Sequence, residues 1–279
     1  MHAEIKTLYE SSLCSVHDFL CRCHECSMSE KEQRDDFVIA YVRRGNFQFN
    51  SFRRTFDAHH GHFLLNKPHH EYRVGHVHAM PDECTIFSMP AENVQLLGSN
   101  YQSFGWFLND PDKKSILIPA TPETEYLHHY LFQLLSTHCY SRLHTESLLS
   151  ELFLKVLSVN EQQADVRLLT DRQKRNLLPG LEKIKTFISE HFVDDISVTQ
   201  LADLGNMSQF HFARSFKQLT SVTPYQYLLR VRLQQAHQNL QATSLPISEI
   251  AFSAGFNSLE HFSASYKKWY GKAPSLMRG

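Results

Sequence analysis

The chain has 279 residues, with 28 Lys+Arg against 29 Asp+Glu, a net charge of −1. That length is a prior for two domains, and 42% hydrophobic with 12% aromatic residues excludes a wholly disordered chain. The longest apolar runs, such as Ser115-Ile-Leu-Ile118, are far too short to span a bilayer, so no membrane partner is expected. Residues 1–20 carry acids and no long apolar core, so no secretory signal is expected and the cytoplasm is the expected compartment. The near-neutral total hides an asymmetry: residues 172–279 hold 13 Lys+Arg against 7 Asp+Glu, and the rest is acidic. A basic part joined to an acidic part points to a nucleic-acid module tied to something else.

Near the N-terminus, Cys21, Cys23, His24 and Cys26 put three thiols and an imidazole within six residues. Such a set can supply a soft metal site or a redox sensor, but one tight loop rarely lets all four side chains converge on one ion, and passive thiols are the alternative. From about Asp36 to Ile118 the pattern predicts β structure. Phe37–Val42 is an apolar strand, Arg43–Asn46 a turn, and Phe47-Gln-Phe49 alternates after it. Gly61–Leu65, Tyr72–Val74, Cys84–Phe87 and Ser115–Ile118 follow, a spacing that predicts a small barrel or jelly roll. His59-His60-Gly-His62 and His69-His70 are expected in solvated loops.

After Pro122 the period changes to three and four residues. Tyr126, Leu127, Tyr130, Leu131, Leu134 and Leu135, then Leu148, Leu149, Leu152, Phe153 and Val156, predict helices over roughly 123–139 and 145–158. The first stripe is broader than a small barrel should need to cover, so this pair is expected to form part of a homodimer contact. Residues 160–175 read as a polar linker, and everything beyond Leu181 as helical.

The C-terminal part contains a repeat. Val198–Leu204, a turn at Gly205-Asn206-Met207, an N-cap at Ser208 and a helix Gln209–Leu219 make one unit. Ile247–Ser253, a turn at Ala254-Gly255-Phe256, a cap at Asn257-Ser258 and a helix Leu259–Tyr270 make the second. Phe262, Tyr266, Lys267 and Pro274 repeat Phe212, Phe216, Lys217 and Pro224 at an offset of 50, whereas Ala251 and Gly255 repeat Ala202 and Asn206 at 49. The second turn therefore holds one extra residue. Between the copies, Pro224–Ala242 is a long helix with Pro at its first position.

Two helix-turn-helix units on one spacer can place their second helices in successive major-groove segments of double-stranded DNA. Gln209, Phe210 and Arg214 of the first unit are the expected base-facing side chains. Ser258, Glu260, His261 and Ser263 are their counterparts in the second, and Lys217, Lys267, Lys268 and Lys272 are expected on phosphates.

These residues resemble the AraC/XylS family of transcription regulators. The matching stretches are Leu201-Ala202, Ser208, His211-Phe212, Arg214, Phe216-Lys217, Thr223-Pro224, Tyr227, Arg230, Arg232-Leu233 and Ala236. They continue through Ile247, Ile250-Ala251, Gly255-Phe256, Ser258, His261-Phe262-Ser263, Tyr266-Lys267, Gly271 and Pro274. The resemblance covers about residues 180–279. It implies sequence-specific DNA binding, usually activation, with RNA polymerase as a partner and an N-terminal sensing or dimerising domain. Two positions depart from the family: Asn206 stands where Gly is usual, and Ala264 where many members have Arg. A missing Arg removes a guanine contact worth roughly 1–3 kcal/mol, so the first unit is expected to carry more of the base specificity.

More loosely, the β segment resembles the cupin-like domain that often precedes this module, which implies a cavity for a small-molecule effector. His76-x-His78 with Glu83 and Cys84 partly resembles the metal motif of enzymatic cupins; polar strand residues are the alternative reading. No Gly-x-Ser-x-Gly elbow, P-loop or dinucleotide fingerprint is present, so no catalytic residue is assigned and no enzyme is expected.

The expected fold is α+β. It comprises a cupin-like β-barrel over 1–120, a helical linker or dimerisation segment over 121–160, and an all-α domain over 175–279 with helix-turn-helix units at about 197–219 and 247–270. No cofactor is needed for DNA binding on this reading. The competing classes are a cupin-type metal-dependent enzyme fused to a DNA module and a ligand-independent DNA-binding protein.

Overall fold

The computed structural model describes residues 3–21, 28–52, 54–75, 82–94, 104–138, 140–159 and 170–277, with the backbone alone at 171–175. Its contacts divide the chain into two units, both discontinuous. One is Met1–Ala120 with His128–Asp171, and the other is Thr121–Leu127 with Arg172–Gly279.

Among the described residues the first unit has nine strands: β1 (Ala3–Glu10), β2 (Ser15–Cys21), β3 (Phe37–Arg44), β4 (Asn46–Ser51), β5 (Arg54–His59), β6 (His62–Asn66), β7 (Tyr72–Gly75), β8 (Glu83–Met89) and β9 (Ser115–Pro119). They form a six-stranded sheet in the order β1-β2-β8-β3-β6-β9 and a three-stranded sheet in the order β5-β4-β7, with every pairing antiparallel. Single residues in left-handed backbone, Gly45 (φ 73°) and Gly61 (φ 80°), help make the β3–β4 and β5–β6 turns.

β3 is buried from Phe37 to Val42 because both faces of the large sheet are covered. Val38, Ala40 and Val42 share a core with Phe47 and Phe49 of β4, Leu64 of β6 and Leu117 of β9. On the opposite face, the rings of Tyr41 and His128 meet at a tilt at 4.1 Å and Phe87 meets Phe153 edge-on at 5.5 Å. His128 and Phe153 lie on helices α1 (Pro122–Ser136) and α2 (Arg142–Leu157). Nε2 of His128 also meets the Thr85 hydroxyl at 2.8 Å, and burial holds this imidazole well below the usual histidine range.

Three expectations change. The histidines at 59, 60 and 62 are buried rather than solvated. Nδ1 of His60 donates to the carbonyl of Arg43 at 2.6 Å, Nδ1 of His62 donates to that of His59, and the rings of His59 and His62 meet at 4.0 Å. Gly61 had signalled a loop, but it is a tight turn between two core strands. His69, in contrast, is exposed. Second, the apolar stripe on α1 is not surplus surface: Tyr126, Leu127, Leu131 and Leu135 are buried within the chain. Third, 171–175 are helical. The polar run there is Asp-Arg-Gln-Lys-Arg, rich in residues that favour a helix without needing an apolar face, and 160–169 lie outside the described residues.

The second unit contains α3 (Asp171–His191), α4 (Val198–Leu204), α5 (Gln209–Thr220), α6 (Pro224–Ala242), α7 (Ile247–Ser253) and α8 (Leu259–Tyr270), closed by a 3₁₀ turn at Pro274–Leu276. α6 starts with a capping box: Thr223 and Gln226 satisfy each other's backbone amides, and Pro224 occupies the first turn, where its missing N–H costs nothing. It carries two cores. Phe216 packs edge-on to Phe212 and to Tyr227, each at 5.5 Å, on one side. On the other, Leu233, Ala236 and Leu240 join Ile250, Ala251, Phe256, Phe262 and Tyr266. Tyr266 hydroxyl meets Nδ1 of His237 at 2.6 Å, and burial pushes its phenol up to about 12.

Candidate nucleic-acid interface

The two short helices α5 and α8 are built by the same local chemistry. Ser208 accepts from the amide of His211, and Ser258 from that of His261, so each helix has a side-chain N-cap. Each ends in left-handed backbone, at Ser221 (φ 64°) and Gly271 (φ 74°), whose amides donate to the carbonyls of Lys217 and Lys267 at 2.9 Å. Capped at both ends, each helix presents one face to its core and the other to solvent.

The buried faces are Phe212 with Phe216 and Phe262 with Tyr266. Of the side chains expected to face DNA, Gln209, Phe210, Arg214, Lys217, Glu260, His261, Lys267 and Lys268 are exposed; Ser258 and Ser263 are half-buried. Among the described residues Phe210 is the most exposed large apolar side chain at 82%, a costly placement for a phenyl ring facing only water. It shares a face with Arg214 one turn on. Three of these groups already have local roles. The amide of Gln209 donates to Thr199 at 2.8 Å, Ser258 caps its helix, and Nε2 of His261 lies 3.4 Å from the hydroxyl of Tyr225.

Tyr225 and Trp269 were missed by sequence reasoning. Tyr225 is 59% exposed beside His261, and Trp269 lies under the guanidinium of Arg230 at 4.3 Å. The signal for Tyr225 was available: it directly follows the N-terminal proline of α6 and falls outside the apolar stripe of that helix.

The two turns differ. Asn206 (φ 52°) and Gly255 (φ 82°) are equivalent left-handed residues. A Cβ on Gly255 would lie 2.8 Å from the carbonyl oxygen of Phe192 and 2.9 Å from Nε of Arg232. That arginine closes the end of α3, donating to the carbonyls of Phe192 and Asp194 at 2.6 and 2.8 Å. The second turn is thus packed against another helix and admits only glycine.

In the first unit, Cys23, His24, Cys26, His76 and His78 lie outside the described residues. Cys21 and Cys84 are buried. Glu83 and Cys84 are neighbours on β8 and point to opposite faces: Glu83 pairs with Arg44 at 3.6 Å, while Cys84 enters the core. Burial pushes the Cys84 thiol well up and the Cys14 thiol up to about 12, which disfavours the thiolate that metal binding and oxidation need. Among the described residues no three His, Cys, Asp or Glu side chains come together as a metal site. Between the two sheets lies a cavity of about 100 Å³, walled by Phe19, Phe47, Phe49 and Leu64, with Arg34 and Asp82 among its polar groups.

The chain matches a helix-turn-helix domain family over residues 201–279 and the AraC-like ligand binding domain over residues 23–153. It is 31% identical over 147 residues to the probable transcriptional regulator LumQ of Photobacterium leiognathi, covering 53% of this chain and 58% of LumQ. It is 29% identical over 120 residues to the HTH-type transcriptional activator RhaS of Enterobacter sp. (strain 638), covering 40% of this chain and 43% of RhaS. The match thus spans about half the length of these curated relatives. Among solved structures, a transcriptional regulator with an AraC-type DNA-binding domain from Chromobacterium violaceum is 31% identical, over 36% of this chain and 89% of that one, with a TM-score of 0.34.

Proposed function

The chain belongs to the AraC family of transcription regulators, and from that premise we propose that it is an effector-responsive activator that reads two successive major-groove segments of double-stranded DNA. The observation that carries this reading is the pair of capped helices, α5 and α8, offset by 50 residues and exposing polar faces from one spacer helix. Phe210 and Arg214 in the first unit, and Glu260 and His261 in the second, are the proposed base-facing side chains. Their chemistries differ: a phenyl group suits a thymine methyl, a guanidinium suits guanine, and a carboxylate suits the cytosine amine. Lys217, Lys267 and Lys268 take phosphates.

The cavity between the two sheets is the proposed effector site, because its wall is largely apolar with a few polar groups. RNA polymerase and a second copy of this chain are the proposed partners. For the second copy, Leu143 on α2, 81% exposed, is one apolar side chain available on the helical pair. Among the described residues no helix is long and apolar enough to cross a membrane, and the proposed compartment is the cytoplasm.

The test is selection of the full chain on a randomised duplex library, followed by salt titration on the enriched sequence. The expected motif has two segments about 10 base pairs apart, and affinity falls steeply with salt. Absence of an enriched motif, or an affinity flat between low and physiological salt, overturns the proposal.

A further inference from the structure

Residues Thr121–Leu127 group with the second unit although the rest of that unit begins at Arg172. They are the first turns of α1, and their acids are buried. The carboxylate of Glu125, 4% exposed, accepts from Nζ of Lys185 on α3 at 2.6 Å and from the hydroxyl of Tyr227 on α6. Lys185 itself is only 8% exposed. Glu123, also buried, faces Nε of Arg230 on α6 at 3.8 Å. Tyr126 adds a hydrogen bond to Gln235 on α6 and an edge-on contact with Phe192 at 5.6 Å.

A surface that only needed covering would be covered more cheaply by apolar side chains. Removing a carboxylate and an ammonium from water is costly, and the pair regains that cost only in a fixed geometry. What such a pair supplies is register. Tyr227 and Arg230 are three residues apart, on one face of α6. Each leads to a different recognition helix: the ring of Tyr227 packs on Phe216 of α5 at 5.5 Å, and the guanidinium of Arg230 lies over Trp269 of α8 at 4.3 Å. One short segment therefore holds the spacer helix at the two points from which the two reading helices are supported.

We infer that Glu123 and Glu125 are positioning residues for DNA recognition: they set the spacing and orientation of α5 against α8 through Tyr227 and Arg230, and so fix which half-site spacing the protein accepts. This rests on the DNA-reading proposal above. It goes beyond it in assigning spacing specificity to residues that face neither solvent nor DNA.

The experiment uses the full chain and the duplex enriched by selection, re-made as a series in which the two segments are moved apart or together by one base pair at a time, plus duplexes carrying one segment alone. The variants are Glu125→Gln, Arg230→Gln and the conservative Arg230→Lys. The wild type should show a sharp optimum. Glu125→Gln and Arg230→Gln should lose about tenfold at the optimum, broaden the profile, and leave single-segment binding unchanged, while Arg230→Lys keeps the sharp profile. Arg230 is a quarter exposed, so its variants test the idea even where loss of the buried Glu125 charge prevents folding. If both Gln variants shift every duplex by one common factor, or shift none, the inference is wrong. A wild type that binds DNA without any spacing optimum overturns the two-segment reading itself, and the inference with it.

Discussion

The two helix-turn-helix units are copies in their frame and strangers at their tips. Both have a serine N-cap, a left-handed C-terminus, two buried aromatics and a lysine at the same register. Yet the reading positions differ in charge and size: Phe210 against Glu260, and Arg214 against Ala264. The frame is held by demands that any such unit must meet, namely satisfied helix ends and a filled core. The tips meet no such demand and are free to take the chemistry of their target. The turns show the same contrast from the other side, since Asn206 is exposed where Gly255 is walled in by Phe192 and Arg232.

The largest effect should come from that asymmetry. Gly255→Ala forces a Cβ into left-handed backbone and against a carbonyl oxygen, and is expected to cost about 3 kcal/mol in denaturant unfolding of the second unit. Asn206→Gly, its counterpart, should change stability by less than about 0.5 kcal/mol, because Asn tolerates this conformation. Equal costs at the two positions would mean that the turns are packed alike.

Next in size is the division of labour between the tips. Arg214→Ala should weaken binding to the selected duplex by about 1–3 kcal/mol and relax the preference at one base pair, while barely changing affinity for random DNA. Ala264→Arg should create a new preference at one base pair of the second segment, visible on repeating the selection. A loss at Arg214 that is the same on selected and random duplexes would make it a phosphate ligand instead. The smallest effect, and the one in which the units should agree, belongs to the lysines. Lys217→Ala and Lys267→Ala should each lower the log–log salt slope by about 1, equally on all sequences.

The helical half was legible because its signals are local. Ser208 and Ser258, the left-handed turn residues and Pro224 announce themselves within a few positions, and the offset of 50, or 49 at the turns, confirms each copy by the other. The sheet half was most legible where a strand is covered on both faces, as at Phe37–Val42. β1 was missed because its first residues lie at an exposed edge of the sheet, and β2 because its side chains are mostly half-buried. The histidines at 59, 60 and 62 were misplaced because polar residues around a glycine look like a loop, and only tertiary partners such as the Arg43 carbonyl show otherwise. Glu123 and Glu125 were invisible for the same reason. Acids in a helix's first turn are the ordinary solvated signature of a helix start, and the lysine that buries Glu125 lies 60 residues downstream.

The discontinuity of both units has a consequence for how the chain comes to be folded. During synthesis Met1–Ala120 emerges first but lacks its closing segment, His128–Asp171. Thr121–Leu127 emerges next, with its unit still unmade. The buried carboxylate of Glu125 must then wait in water for Lys185 and Tyr227 to arrive. Neither unit can finish in strict order along the chain, so the usual vectorial economy, one domain completed before the next begins, is denied here. Nascent chains halted before residue 172 should accordingly leave Thr121–Leu127 open to protease, and release of the full chain should close it.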